Sequence, residues 1–163
     1  SICVDELCFI DLLVNPNKSC WMRIGNMYKS HCADIIINNV VVNKRDEITY
    51  LGSTILAASK FMISLSNNKI KFFRSANKIF GKIGTSNVPV LMKLINSYCI
   101  SALLYNLEVF DLNKSSLNSL KFVLNRMYMK IFKTADVNIV QYSLYYFGEL
   151  PVDLVLTIRK FKS

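Results

Sequence analysis

The stretch Asn67-Asn68-Lys69-Ile70-Lys71-Phe72-Phe73-Arg74-Ser75-Ala76-Asn77-Lys78-Ile79-Phe80-Gly81-Lys82-Ile83 decides how the rest of the chain is read. Wound at about 100° per residue, it places Ile70, Phe73, Ala76, Ile79, Phe80 and Ile83 on one side. Lys71, Arg74, Lys78 and Lys82 then fall at i, i+3, i+7 and i+11 on the other. One apolar face opposing one cationic stripe predicts an amphipathic helix.

Beyond that helix the pattern stays helical. Residues 88–105, with Pro89 in the first turn, are apolar nearly all round through Leu91, Leu94, Ile95, Ile100, Leu103 and Leu104, which predicts a core helix. Leu117, Leu120, Leu124, Met127 and Ile131 recur at alternating three- and four-residue steps, so residues 115–132 should pack along that seam. Arg126, Lys130 and Lys133 stand away from it. Residues 140–147 and 151–161 read as two further helices separated by Gly148 and Leu150-Pro151.

Upstream the period changes. Residues 4–13 fit a short buried helix broken by the turn residues Asn15-Pro16-Asn17. Strand signals follow at Cys20-Trp21-Met22-Arg23-Ile24, at Asp34-Ile35-Ile36-Ile37 and at Val40-Val41-Val42, with Asn38-Asn39 between the last two as a tight hairpin turn. Ile48-Thr49-Tyr50-Leu51 is a further strand ended by Gly52-Ser53. The fold class expected is α+β, a small antiparallel sheet followed by a mostly helical region, with segments 1–59 and 60–163.

Charge divides along the same boundary. The net charge of +9 in 163 residues is carried as −1 by residues 1–59 and +10 by residues 60–163. A basic half of this kind meets polyanions, or else is a solvated helical surface. At 52% apolar and 19% charged, the chain is too hydrophobic for disorder, and no apolar run reaches the roughly 18 residues of a membrane span. Five cysteines, Cys3, Cys8, Cys20, Cys32 and Cys99, include no C-x-x-C pair. Although four of them accompany the sole histidine, His31, they read as reduced thiols of a cytoplasmic or nuclear protein rather than a zinc site. Ser1 reads as a cut end, without the basic start and apolar stretch of a secretory signal.

Three local signals stand in order: Asn15-Pro16-Asn17-Lys18-Ser19 before a strand, Tyr50-Leu51-Gly52-Ser53 after a hairpin, and the basic amphipathic helix. This order resembles the region after the catalytic box in reverse transcriptases of non-LTR (LINE-type) retrotransposons, where an N-P-x-K-S turn leads into a palm strand and a Y-L-G turn precedes the helical thumb. The likeness extends through residues 71–84, 103–108 and 125–134, covering about residues 13–159. The family usually reads L-L-Y-G-x-E where this chain has Leu103-Leu104-Tyr105-Asn106-Leu107-Glu108, so Asn106 replaces the glycine.

The resemblance implies an incomplete palm in residues 1–59 and a thumb with following helices in residues 60–163. It implies RNA template and RNA/DNA duplex as partners and no membrane, with the fingers and the first palm strands missing upstream. Mg2+ is implied for the complete parent enzyme and no cofactor for this chain. The aromatic-x-Asp-Asp box that holds two metal ions is absent. Asp5-Glu6 and Asp46-Glu47 read as solvated charges, so this chain alone is expected not to polymerise. Lys18 would lie near the incoming nucleotide, or else point into water from a turn. Tyr50, Leu51, Gly52 and Ser53 would form the primer grip, glycine allowing close approach of a sugar-phosphate. Lys71, Arg74, Lys78 and Lys82 would follow the duplex backbone, and Arg126, Lys130 and Lys133 would extend that surface. The alternative readings are a non-catalytic helical nucleic-acid-binding protein and a decayed element copy.

Overall fold

A computed structural model describes residues 2–84 and 87–162, with side chains from residue 5 onward. Ser1 and the side chains of Cys3 and Val4 therefore lie outside the described residues. The fold is α+β. It comprises two compact units, Ser1–Ser64 and Leu65–Ser163, each described by itself.

In the first unit, helix α1 (Ile2–Phe9) ends before Asp11, whose φ of 57° is left-handed. The expectation of a buried helix here is corrected. Phe9, Ile10, Leu12 and Leu13 are exposed, because the apolar residues ring the helix and its exit instead of forming one packable face. Asn15 then shapes the turn, its Oδ1 accepting from the backbone N–H groups of Asn17 and Lys18 at 3.1 and 3.3 Å. The Ser19 hydroxyl closes the turn on the Asn15 carbonyl at 2.8 Å.

Strand β1 is only Cys20–Trp21, shorter than the five residues its sequence suggests. β2 (Ile35–Ile37) and β3 (Val40–Lys44) form the expected antiparallel hairpin. Asn38 and Asn39, with φ of 51° and 61°, make the two-residue loop, and positive φ at both positions is what the type I′ turn requires. β1 pairs with β3 in parallel, a departure from the all-antiparallel expectation that the long connection through residues 22–39 permits. The Trp21 indole N–H donates to the Val42 carbonyl at 3.1 Å across that pairing.

A second sheet was only half legible. β4 (Glu47–Tyr50), β5 (Ser53–Leu56) and β6 (Met62–Ser64) form an antiparallel meander, with Tyr50 opposite Ser53. The strand region therefore runs to Ser64 rather than stopping at residue 59. Among the described side chains of this unit, Val42 is the one buried hydrophobic residue, while Ile36, Val41, Phe61 and others stay exposed.

The second unit has a proper core. α2 (Ser66–Ile83) buries Asn68, Phe72 and Ala76. This corrects the assignment of its inner face, because Ile70 and Phe73 are exposed and Phe72 is fully buried. The inner line is Leu65, Asn68, Phe72 and Ala76, rotated from the line that apolarity alone picks out because Asn68 belongs to it. α3 (Val88–Leu94) opens with Asn87 capping the Val90 N–H and Pro89 in the first turn.

It runs on through a π-helical segment, Ile95–Ile100, into α4 (Ser101–Leu103). Leu91, Ile95, Cys99 and Leu103 are all fully buried at four-residue spacing. In a pure α-helix four-residue steps drift by about 40° each, and the slower winding of the π segment keeps these side chains on one side. α5 (Lys114–Phe132) packs through Leu120, Leu124, Met127 and Ile131, as its seam predicts, together with Val123 and Tyr128. α6 (Val137–Tyr146) and α7 (Val152–Lys162) follow. Each such fully buried aliphatic or aromatic side chain contributes roughly 1.5–3 kcal/mol. No helix among the described residues is long and apolar enough to cross a membrane.

Candidate nucleic-acid interface

Lys71, Arg74, Lys78 and Lys82 are all exposed along one line of α2, as their spacing predicts. Eleven residues at 1.5 Å rise span about 16 Å, the length of about five base-pair steps. No Asp or Glu occurs between Glu47 and Glu108, so α2 carries no acidic residue of its own. Among the described residues no carboxylate pairs with Arg74, Lys78 or Lys82. Lys71 lies 5.9 Å from the ring centroid of half-exposed Tyr105, so an aromatic face adjoins the stripe.

The three α5 cations are exposed, but Lys130 does not extend this line. Its Nζ sits 4.4 Å from the ring centroid of Phe80. Phe80 leaves α2 about 160° round from Lys78 at 100° per residue, on the other side of the helix. Arg126 is one turn earlier on α5, and Lys133 is its left-handed C-cap with φ of 53°. The expectation of one continuous cationic surface through Lys130 is thus corrected, because the ammonium is held by a ring on the opposite flank.

In the first unit, Tyr50-Leu51-Gly52-Ser53 is a hairpin turn joining β4 to β5. Leu51 and Gly52 have φ of 47° and 81°, again the type I′ pattern. Tyr50 and Leu51 are 64% and 71% exposed, whereas Ser53 is 6% exposed and belongs to the packed start of β5. Ser53, unlike Tyr50 and Leu51, is packed into the sheet rather than exposed. Lys18 is exposed within the Asn15 turn.

Tyr105 was missed as a possible contact because it precedes a position whose geometry only the backbone reveals. Asn106 has φ of 60°, and asparagine is the non-glycine residue that best tolerates left-handed backbone. Asn106 thus accommodates a left-handed turn without a glycine.

Asp5, Glu6, Asp46 and Glu47 are exposed, and no group of three or more His, Cys, Asp or Glu that could hold a metal ion occurs among the described residues. Cys8, Cys20 and Cys32 are exposed free thiols and Cys99 is a buried one. No family model, no curated protein and no solved structure matches this chain.

Proposed function

We propose that this chain is the C-terminal palm and thumb portion of an RNA-directed DNA polymerase of the non-LTR retrotransposon type. It contributes the primer grip and binding of the template-primer duplex, and the catalytic aspartates with their Mg2+ belong to an upstream part of the parent enzyme. The observation that carries the reading is the stripe Lys71, Arg74, Lys78, Lys82, exposed on a helix without acidic residues. Such a line neutralises backbone phosphates and reads no base edges. The turn at Tyr50, Leu51 and Gly52 offers an exposed aromatic, an exposed leucine and a glycine for a sugar-phosphate, and the ordered motifs support the family reading.

The test is fluorescence anisotropy with a labelled RNA/DNA hybrid across a salt series. Four phosphate contacts give a log–log salt slope of about −3.6, and binding should depend little on sequence. Absence of binding at low salt overturns the duplex-binding reading. The polymerase part is tested separately by sequencing the transcript upstream of Ser1. An in-frame aromatic-x-Asp-Asp box supports it, whereas a start codon and no aspartates leave a non-catalytic nucleic-acid-binding protein or a decayed copy.

A further inference from the structure

The second unit holds a cleft of about 500 Å3 lined from the π segment, α5, α6 and α7, within the size range of small-molecule sites. Leu104, Leu124, Leu144, Leu150 and Val155 give it apolar walls. None of the cations assigned to the duplex lines it, so it stands apart from the function proposed above.

Two carboxylates, Glu149 and Asp153, reach this lining from either side of Leu150-Pro151-Val152. Glu149 is anchored: its Oε1 accepts from the Asn96 side-chain amide, and Asn96 Oδ1 accepts from the Tyr128 hydroxyl at 3.5 Å. Burial holds the Glu149 carboxyl above its ordinary range, with the Asn96 hydrogen bond opposing the shift. Asp153 is only half satisfied. The side chain is 47% exposed; its Oδ2 accepts from Lys121 Nζ at 3.3 Å, while Oδ1 is turned away from solvent and has no hydrogen-bond partner among the described residues.

The chemistry of the missing group follows from what surrounds it. An anionic ligand would meet two carboxylates against the single cation Lys121, and a purely apolar one would leave Asp153 Oδ1 without a donor. A group that supplies N–H donors and positive charge satisfies the orphan oxygen and favours ionised Glu149. We propose that this cleft binds a small organic amine, its ammonium between Asp153 and Glu149 and its apolar body against Leu124, Leu144 and Val155.

Isothermal titration of the full chain with tryptamine and with its neutral isostere tryptophol tests this. Tryptamine should bind saturably, and tryptophol at least about tenfold more weakly. Asp153→Asn should weaken tryptamine by a similar factor. Because Asp153→Asn touches the first turn of α7, Gln141→Trp serves as a second variant: Gln141 is an exposed residue of the rim, and the indole should fill the cleft and abolish binding without removing core. The proposal is overturned if neither probe binds, if tryptophol binds as well as tryptamine, or if Gln141→Trp leaves binding intact. The blocked dipeptide acetyl-Phe-Lys-amide, titrated in parallel, separates sources. Tighter binding of the dipeptide than of tryptamine would assign the cleft to a lysine of a partner chain and overturn the small-amine assignment.

Discussion

Asn68 on α2 donates through one side-chain amide to the carbonyl of Leu103 at 3.0 Å and to that of Tyr105 at 3.1 Å. Those carbonyls belong to the end of the helical stretch that begins at Val88, where no intrahelical donor remains for them. Asn68 is 6% exposed, so water does not substitute freely. Asn68→Leu should destabilise the chain by about 2 kcal/mol, by leaving buried carbonyls without a donor. Urea denaturation measures this, and an unchanged midpoint would show that the amide does not hold these helices together.

The stripe and Lys130 make opposite predictions for the same charge change. Lys78→Glu and Lys82→Glu should each weaken binding of an RNA/DNA hybrid and lower the magnitude of the salt slope by about 1. Lys130→Glu should leave that slope unchanged, because Lys130 is held over Phe80 on the far flank of α2. Equal effects of all three substitutions would mean that net charge rather than one helix line carries the binding.

The two units should differ in self-sufficiency. Residues 65–163 bury most of the hydrophobic side chains, while residues 1–64 bury Val42 among their described side chains and expose several isoleucines and valines. A unit of about 60 residues is marginal even with a full core. Expressed alone, residues 65–163 should show a cooperative melt by circular dichroism, and residues 1–64 should not. A cooperative transition in the shorter piece would show that its exposed apolar surface needs no partner.

What the sequence reveals depends on whether a residue's environment is set locally. Type I′ turns at Asn38-Asn39 and the seam Leu120, Leu124, Met127 and Ile131 are local or periodic, and both stand where the pattern puts them. The inner face of α2 was misjudged at Ile70 and Phe73, because periodicity counts apolar residues and cannot see that Asn68 is drawn inward by two distant carbonyls. Winding is hidden for a similar reason. Leu91, Ile95, Cys99 and Leu103 look like part of an all-round apolar helix, a pattern that does not reveal the π winding across Ile95–Ile100. The four stripe cations were fully legible, since solvent exposure of lysine and arginine needs no partner. Placing Lys130 required knowing that α5 brings it to Phe80.

Cys99 makes stability depend on alkaline pH. Burial raises its thiol from 9.0 to about 11, so the folded chain keeps a proton that the unfolded chain releases. The sign follows: this contribution is fully present below pH 9.0 and is lost as pH rises through about 11. Urea midpoints should fall across that window and fall less in Cys99→Val. A thiol reagent at neutral pH should label Cys8, Cys20 and Cys32 quickly, and Cys99 only as the chain unfolds. Rapid labelling of Cys99 would contradict its burial.

Leu51 is strained where it is most visible. It is 71% exposed, yet its φ of 47° is a conformation that costs an ordinary L-residue about 1–2 kcal/mol, and an exposed leucine recovers none of that through burial. Asparagine relieves the strain in a type I′ turn before glycine. Leu51→Asn should therefore raise stability by about 1 kcal/mol. If the turn also grips a primer strand, the same substitution should weaken hybrid binding, because it removes the apolar surface presented beside Gly52 while leaving every lysine in place. Stability measured by urea and affinity measured by anisotropy would then move in opposite directions. A gain in stability with unchanged affinity would leave the turn as strand-ending geometry and confine duplex binding to the helical unit.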